Sequence, residues 1–283
     1  MAAHAPTEPV PPPPLRAGRR LLFVLPERAR RPSALVARNF FVQVRAVPYL
    51  WLSGLLEPVL YLLSIGVGIG HLVGKVPGPG GTLVSYAAFV APGLLATSAM
   101  NGAIYECTTN IFAKLHWAKL YDAVVATPLG PTDIAAAEVG FATFRSFVYA
   151  GVFLATMAAL GDVRSWWAVL CLPSATLVGA AFASAGFAAS CFMRSWTDFD
   201  KVQLVAMPLF LFSATFYPLS ELPRWLQFVV EALPLYPGVA LCREFSLGHP
   251  SAAATTGYIV YLAALTVLAG EVSRRRVSKL LTP

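Results

Sequence analysis

Charge is scarce in this chain: 12% of its 283 residues are Asp, Glu, Lys or Arg, while 57% are hydrophobic. A soluble domain usually carries about 25% charged residues. With a mean hydropathy of +0.65, that shortfall excludes an ordinary water-soluble fold. Motifs for chemistry are scarce too. No G-x-x-x-x-G-K-[ST] phosphate loop occurs, so the chain does not hydrolyse ATP by that route. Gly66, Gly68 and Gly70 look like a nucleotide loop only superficially. They lie inside an apolar run, where small residues spaced by four allow close helix packing. The four histidines (His4, His71, His116 and His249) are isolated from one another, and no H-E-x-x-H, G-x-S-x-G or paired-carboxylate motif appears. The four cysteines, Cys107, Cys171, Cys191 and Cys242, lack metal-ligand spacing and read as small apolar fillers at different depths. No residue is therefore nominated as catalytic or metal-binding, and a lipid-modifying membrane enzyme is disfavoured.

What the sequence does have is six long apolar runs. A bilayer core about 30 Å thick needs roughly 20 apolar helical residues to cross it. The expected spans run over 49–73, 83–105, 134–160, 166–192, 202–216 and 257–272. The segment 226–241 is apolar but broken by Pro234 and Pro237, which suits a re-entrant or interfacial hairpin. The expected class is an all-α membrane protein with six transmembrane helices. Arginines crowd the two chain ends: Arg16 to Arg45 before the first span, and Arg274, Arg275 and Arg276 with Lys279 after the last. The loops after the second and fourth spans hold Lys114 with Lys119 and Arg194 with Lys201. This alternation places both termini and those two loops in the cytoplasm. The net charge of +7 then reflects topology and anionic-lipid contact rather than nucleic-acid binding.

Residues 1–32, rich in Pro and Arg, read as a disordered cytoplasmic tail, and 33–283 as the membrane domain. In the latter, Val36, Phe40, Val44 and Val47 fall on one helical face opposite Arg38 and Arg45, the pattern of an amphipathic interfacial helix.

Charge inside a span is costly and signals function by default. The third span carries Glu138 and Arg145, seven residues apart and on roughly one face. They either form an internal ion pair that fixes packing, with Glu106 or Glu57 as partner, or line a substrate path. The loop at about 107–127 offers Ile111, Leu115, Ala118 and Asp122 along one helical side, with Phe112, Trp117 and Tyr121 as aromatics facing the cytosol. A short helix of this kind, lying parallel to the membrane, suits docking into a partner's groove.

Three stretches carry a family resemblance: Phe89-Val-Ala-Pro-Gly-Leu-Leu-Ala-Thr-Ser-Ala-Met100 leading to Glu106; Ala126-Thr-Pro-Leu129 followed by Asp133-Ile-Ala-Ala-Ala-Glu138; and Phe216-Tyr-Pro-Leu-Ser-Glu-Leu-Pro223 continuing to Leu233-Pro-Leu-Tyr236 and Arg243. In order and spacing they resemble the permeases of ABC-2-type exporters, above all the nodulation lipochitooligosaccharide exporter and daunorubicin-type drug exporters. The resemblance implies a permease in the bacterial plasma membrane that exports a lipid-linked saccharide, glycolipid, polyketide or drug. It implies a second permease copy or paralogue as partner, and two separate ATPase subunits that hold the ATP and Mg, with no cofactor in this chain. Ile111, Phe112, Leu115, Trp117 and Tyr121 would couple to the ATPase. Met100, Glu106, Glu138, Arg145, Phe216 and Tyr217 are the substrate-path candidates, and about 217–245 would form re-entrant outer helices. The competing reading, an ion-coupled secondary transporter, needs intramembrane carboxylates and usually internal repeats. Glu57, Glu106 and Glu138 are available, but no repeat relates the two halves.

Overall fold

The computed structural model describes residues 27–46, 56, 59–78, 81–127 and 129–281. The expectations for the N-terminal tail before Glu27, for Glu57 and for most of the first half of the first span lie outside them. Among the described residues the regular structure is helical except for one small hairpin. Helix α1 is Glu27–Ala46. Helix α2 covers 59–73, including a π-helical segment Ser64–Ile69. Strands β1 (Lys75–Pro77) and β2 (Leu83–Ser85) pair antiparallel, with Val76 opposite Val84. Then follow α3 (Tyr86–Tyr105), α4 (Leu120–Val125), α5 (Pro131–Leu160), α6 (Cys171–Ser190, entered through a 3-10 turn Trp166–Leu170), α7 (Asp198–Phe212), α8 (Arg224–Ala232), α9 (Tyr236–Leu247) and α10 (Ala252–Leu281).

Local chemistry sets several of these boundaries. The Ser85 hydroxyl caps α3 by accepting from the Ala88 N–H at 3.4 Å. Pro131 opens α5, where a missing N–H costs nothing, and the Asp133 carboxylate accepts from the Gly130 N–H at 3.0 Å. Gly161 closes α5 at φ +79°, the left-handed conformation that only glycine adopts without strain.

Four helices among the described residues are long and apolar enough to cross a membrane: 86–117, 131–160, 166–190 and 252–281. Helices α8 and α9 form a fifth apolar unit bent by 95°. Two expected spans differ from this. Residues 83–85 are strand, so the second span starts at Tyr86, and its helix does not stop at Tyr105. It runs on through π-helical segments Glu106–Asn110 and Ala113–Trp117, because no breaker intervenes before Lys119 turns the chain at φ +44°. Helix α7 ends at Phe212, four residues early. Its 15 residues reach about 22 Å, short of a full crossing.

Helix α6 lies at the centre, packed against α3, α5 and α10, and α9 packs on α3 and α6. Small residues permit this closeness. A Cβ on Gly179 would stand 2.5 Å from Ser146 of α5, and one on Gly238 2.3 Å from the Val178 side chain. Buried and half-buried hydroxyls close onto their own helix: Thr97 donates to the Gly93 carbonyl, Ser184 to Ala180 and Thr266 to Leu262, at 2.8–2.9 Å. No water is needed to satisfy these groups in an apolar medium. Contrary to the depth argument, Cys171 and Cys242 are neighbours: the Cys171 thiol donates to the Cys242 carbonyl at 3.1 Å.

Helix α1 keeps its expected amphipathic pattern in part: Arg38 and Arg45 are exposed and Val36 is half-buried, but Phe40 is exposed, and the Val44 side chain and Val47 lie outside the described residues. Asn39 is its buried residue, while Phe40, Phe41 and Val42 are exposed. Apolar side chains bordering lipid cost little, whereas a primary amide there needs partners. The helix therefore turns its amides inward, onto α5.

Candidate functional site

The polar residues singled out by sequence collect at one end of the bundle. Arg145, on α5, forms a buried ion pair with Glu106, at the start of the α3 extension, and donates from Nε to the Tyr149 hydroxyl at 3.0 Å. Gln43 of α1 donates to the other Glu106 oxygen at 2.8 Å. About two turns away, Lys114 contacts both oxygens of Glu138 at 2.7 and 2.9 Å. The same carboxylate accepts from Asn39 at 3.0 Å and from the Tyr121 hydroxyl at 3.1 Å. Burial first, and then the Glu138 charge, push the Tyr121 phenol well above its ordinary range, which keeps it a donor. Two carboxylates and two cations cancel within this network. It ties α1, the α3 extension, α4 and α5 together.

Of the two readings left open for Glu138 and Arg145, the geometry is that of an internal pairing, with Glu106 as Arg145's partner. Met100 is 0% exposed and packed in the core. Phe216 and Tyr217 lie far from the network. Phe216 packs edge-on to Phe210 at 5.2 Å, and Tyr217 donates to the Leu211 carbonyl at 3.2 Å. The six path candidates thus divide between the two ends of the bundle, with Met100 buried between them.

The five coupling candidates of the 107–127 stretch divide as well. Ile111, Phe112 and Tyr121 are buried and Leu115 is half-buried; only Trp117, 64% exposed, faces outward. The break at Lys119 also prevents Ile111, Leu115, Ala118 and Asp122 from sharing one helix side. Trp117 does not stand alone. It stacks on Trp196 at 5.3 Å, and Phe112 meets Phe199 edge-on at 5.2 Å beneath them. Trp196, 55% exposed, belongs to the connection between α6 and α7. Sequence reasoning missed Trp196 and Phe199, although Arg194 and Lys201 had placed their loop on the same side as Lys114. Asp198 fixes that loop: it accepts from Lys201 at 2.6 Å and from the N–H groups of Arg194 and Ser195 at 2.8 and 3.1 Å. These contacts, the lysine first, hold its carboxyl well below the usual carboxylate range. The last turns of α10 lie at this end too, where the Arg276 guanidinium sits 4.7 Å over the Phe192 ring.

A second buried cation anchors the opposite end. Arg243 of α9 stacks on Phe89 at 3.9 Å and donates to the carbonyls of Phe89, Ala214 and Thr215 at 3.2, 2.8 and 3.1 Å. Two of the three quoted sequence stretches thereby meet: the start of α3, and the Phe216 to Arg243 region with the residues just before it. Gly93 makes room, since a Cβ there would stand 3.1 Å from Thr215. Phe89 and Glu106 are 17 residues apart, so the two anchors are about 25 Å apart along the helix. No group of three or more metal-ligating side chains occurs among the described residues.

Comparison with known proteins places this architecture. The profile described as ABC-2 type transporter matches residues 33–245. Nodulation protein J of Rhizobium leguminosarum bv. viciae is 34% identical over 221 residues, covering 77% of this chain and 83% of the relative. Nodulation protein J of Bradyrhizobium diazoefficiens is 31% identical over 257 residues, covering 89% and 96%. The inner membrane transport permease YadH of Escherichia coli is 26% identical over 207 residues, covering 70% and 77%. The apolar helices, the two buried anchors and a match across three quarters of its length converge: the chain belongs to the ABC-2 type transporter family of membrane permeases.

Proposed function

We propose that this chain is the membrane-spanning subunit of an ATP-driven exporter in the bacterial inner membrane, with both termini cytoplasmic. Its cargo is an amphiphile, of the lipid-linked saccharide, glycolipid, polyketide or drug class, taken from the cytoplasm or the inner leaflet. Two copies, or one copy and a paralogue, pair with two separate ATPase subunits. The observation that carries this reading is the exposed Trp117–Trp196 stack on a permease of this family whose sequence has no phosphate loop. An energy source must then come from outside the chain, and a rigid apolar surface at the basic end is where an ATPase can grip it. Closure of the ATPases would push on Trp117. The continuous helix from Trp117 to Tyr86 would transmit that movement toward the Arg243 end. ATP drives such a change only through differential affinity for the two conformations. Leu204, Val205, Met207, Leu211 and Phe212 of α7 are exposed, and lipid together with the second permease covers them in this reading.

Reconstitution with a separate ABC ATPase subunit tests the proposal. ATP-dependent movement of a fluorescent amphiphile out of the loaded leaflet is expected. Movement driven by an ion gradient without ATP would instead favour the secondary transporter. The pairing of Glu106 and Glu138 with cations weighs against that alternative, since a coupling carboxylate must be free to exchange its ion.

A further inference from the structure

Beyond the ion-pair network and the aromatic stack, one cleft has the composition of a binding site. It opens between the bent pair α8–α9 and the start of α10, with a volume of about 360 Å³. Tyr236, Tyr258 and Tyr261 line it together with Glu231, Pro237 and Gly257. The rings of Tyr236 and Tyr258 stand 6.0 Å apart at 88°, giving two perpendicular walls. Tyr261 is pinned as a third by its hydroxyl, which donates to the Ala232 carbonyl at 2.9 Å. Glu231 is exposed and makes no ion pair with a described residue. No Lys, Arg or His lines the cleft. The nearest cation on α9, Arg243, is directed to Phe89 and the carbonyls behind it. A Cβ on Gly257 would meet nothing within 4 Å, so the floor is open.

Phenol faces attract cations through the ring quadrupole, and a carboxylate without a counter-ion adds a full charge. We infer that this cleft binds an organic ammonium group, carried either by an aminolipid headgroup or by a free amine. The inference does not depend on how transport is powered.

Binding of choline to the purified full-length protein, compared with its uncharged isostere 3,3-dimethylbutan-1-ol, tests the free-amine form. Retention of phosphatidylethanolamine over phosphatidylglycerol, read by native mass spectrometry after nanodisc release, tests the lipid form. A preference of about tenfold for the ammonium-bearing partner is expected in at least one arm, the size of one aromatic-cage cation contact. Choline binding identifies a free amine as the ligand, and lipid retention alone identifies the headgroup. Glu231→Gln should lower the preference by about threefold, and Gly257→Leu should abolish it by filling the floor, both with unchanged thermal unfolding. Equal binding of the ammonium-bearing and ammonium-free probes in both arms overturns the inference, as does a preference that survives both substitutions.

Discussion

Arg145 and Glu106 illustrate how costly half a buried ion pair is. Removing either partner strands a charge away from water, a loss of about 3–5 kcal/mol, whereas removing both together is far milder. Glu106→Gln and Arg145→Met should each lower thermal unfolding in detergent sharply, and the double variant should recover much of the loss. Purely additive losses would show that the two groups act separately. Arg243 makes a different demand, because its planar fork serves carbonyls from two segments while its face lies on Phe89. Arg243→Lys keeps the charge but loses the fork and the stacking. It should loosen α8–α9 and increase proteolysis between Phe212 and Arg224; cleavage at the wild-type rate would contradict that role. Sequence alone flagged Arg145 and Glu138 because a charge in an apolar run stands out. Asn39 and Gln43 carry no such signal, and their inward turn became visible only when their carboxylate partners were in place.

At the scale of the element, the α3 extension is the feature that sequence reasoning placed least well. Loop signals at Thr127 and Gly130 were genuine, but nothing between Glu106 and Trp117 breaks a helix, so the span runs on as one lever. Phe112 and Trp117 therefore differ in kind. Phe112→Asp should destabilise the fold, because it buries a carboxylate among Phe199, Trp196 and His116. Trp117→Asp should leave thermal unfolding within about 1 kcal/mol of wild type, as exposed substitutions usually do. Equal destabilisation by both would place Trp117 in the core. Helix α6 makes a companion case. Gly179→Val would drive a side chain into Ser146 and should lose about 1–3 kcal/mol by overpacking. Which helix Gly179 meets was not legible in the sequence, since partner choice depends on three-dimensional topology.

For the whole molecule, hydrophobic run length conveyed the membrane class and most of the long helices, because a bilayer sets length directly. Topology by charge also corresponds to the structure in one respect: the Trp117–Trp196 stack brings together the two loops that the lysines and arginines had assigned to one side. Long-range pairing remained invisible, including the Arg243 clamp that joins segments 154 residues apart. The central claim is that an ATPase grips this permease at the Trp117–Trp196 surface. Co-purification of a co-expressed ABC ATPase subunit, with wild type and with Trp117→Asp and Trp196→Asp, tests it most directly. The account predicts that the ATPase accompanies the wild type and is lost from both variants, which themselves remain folded. An ATPase that stays bound to both variants, or never binds the wild type, would contradict it.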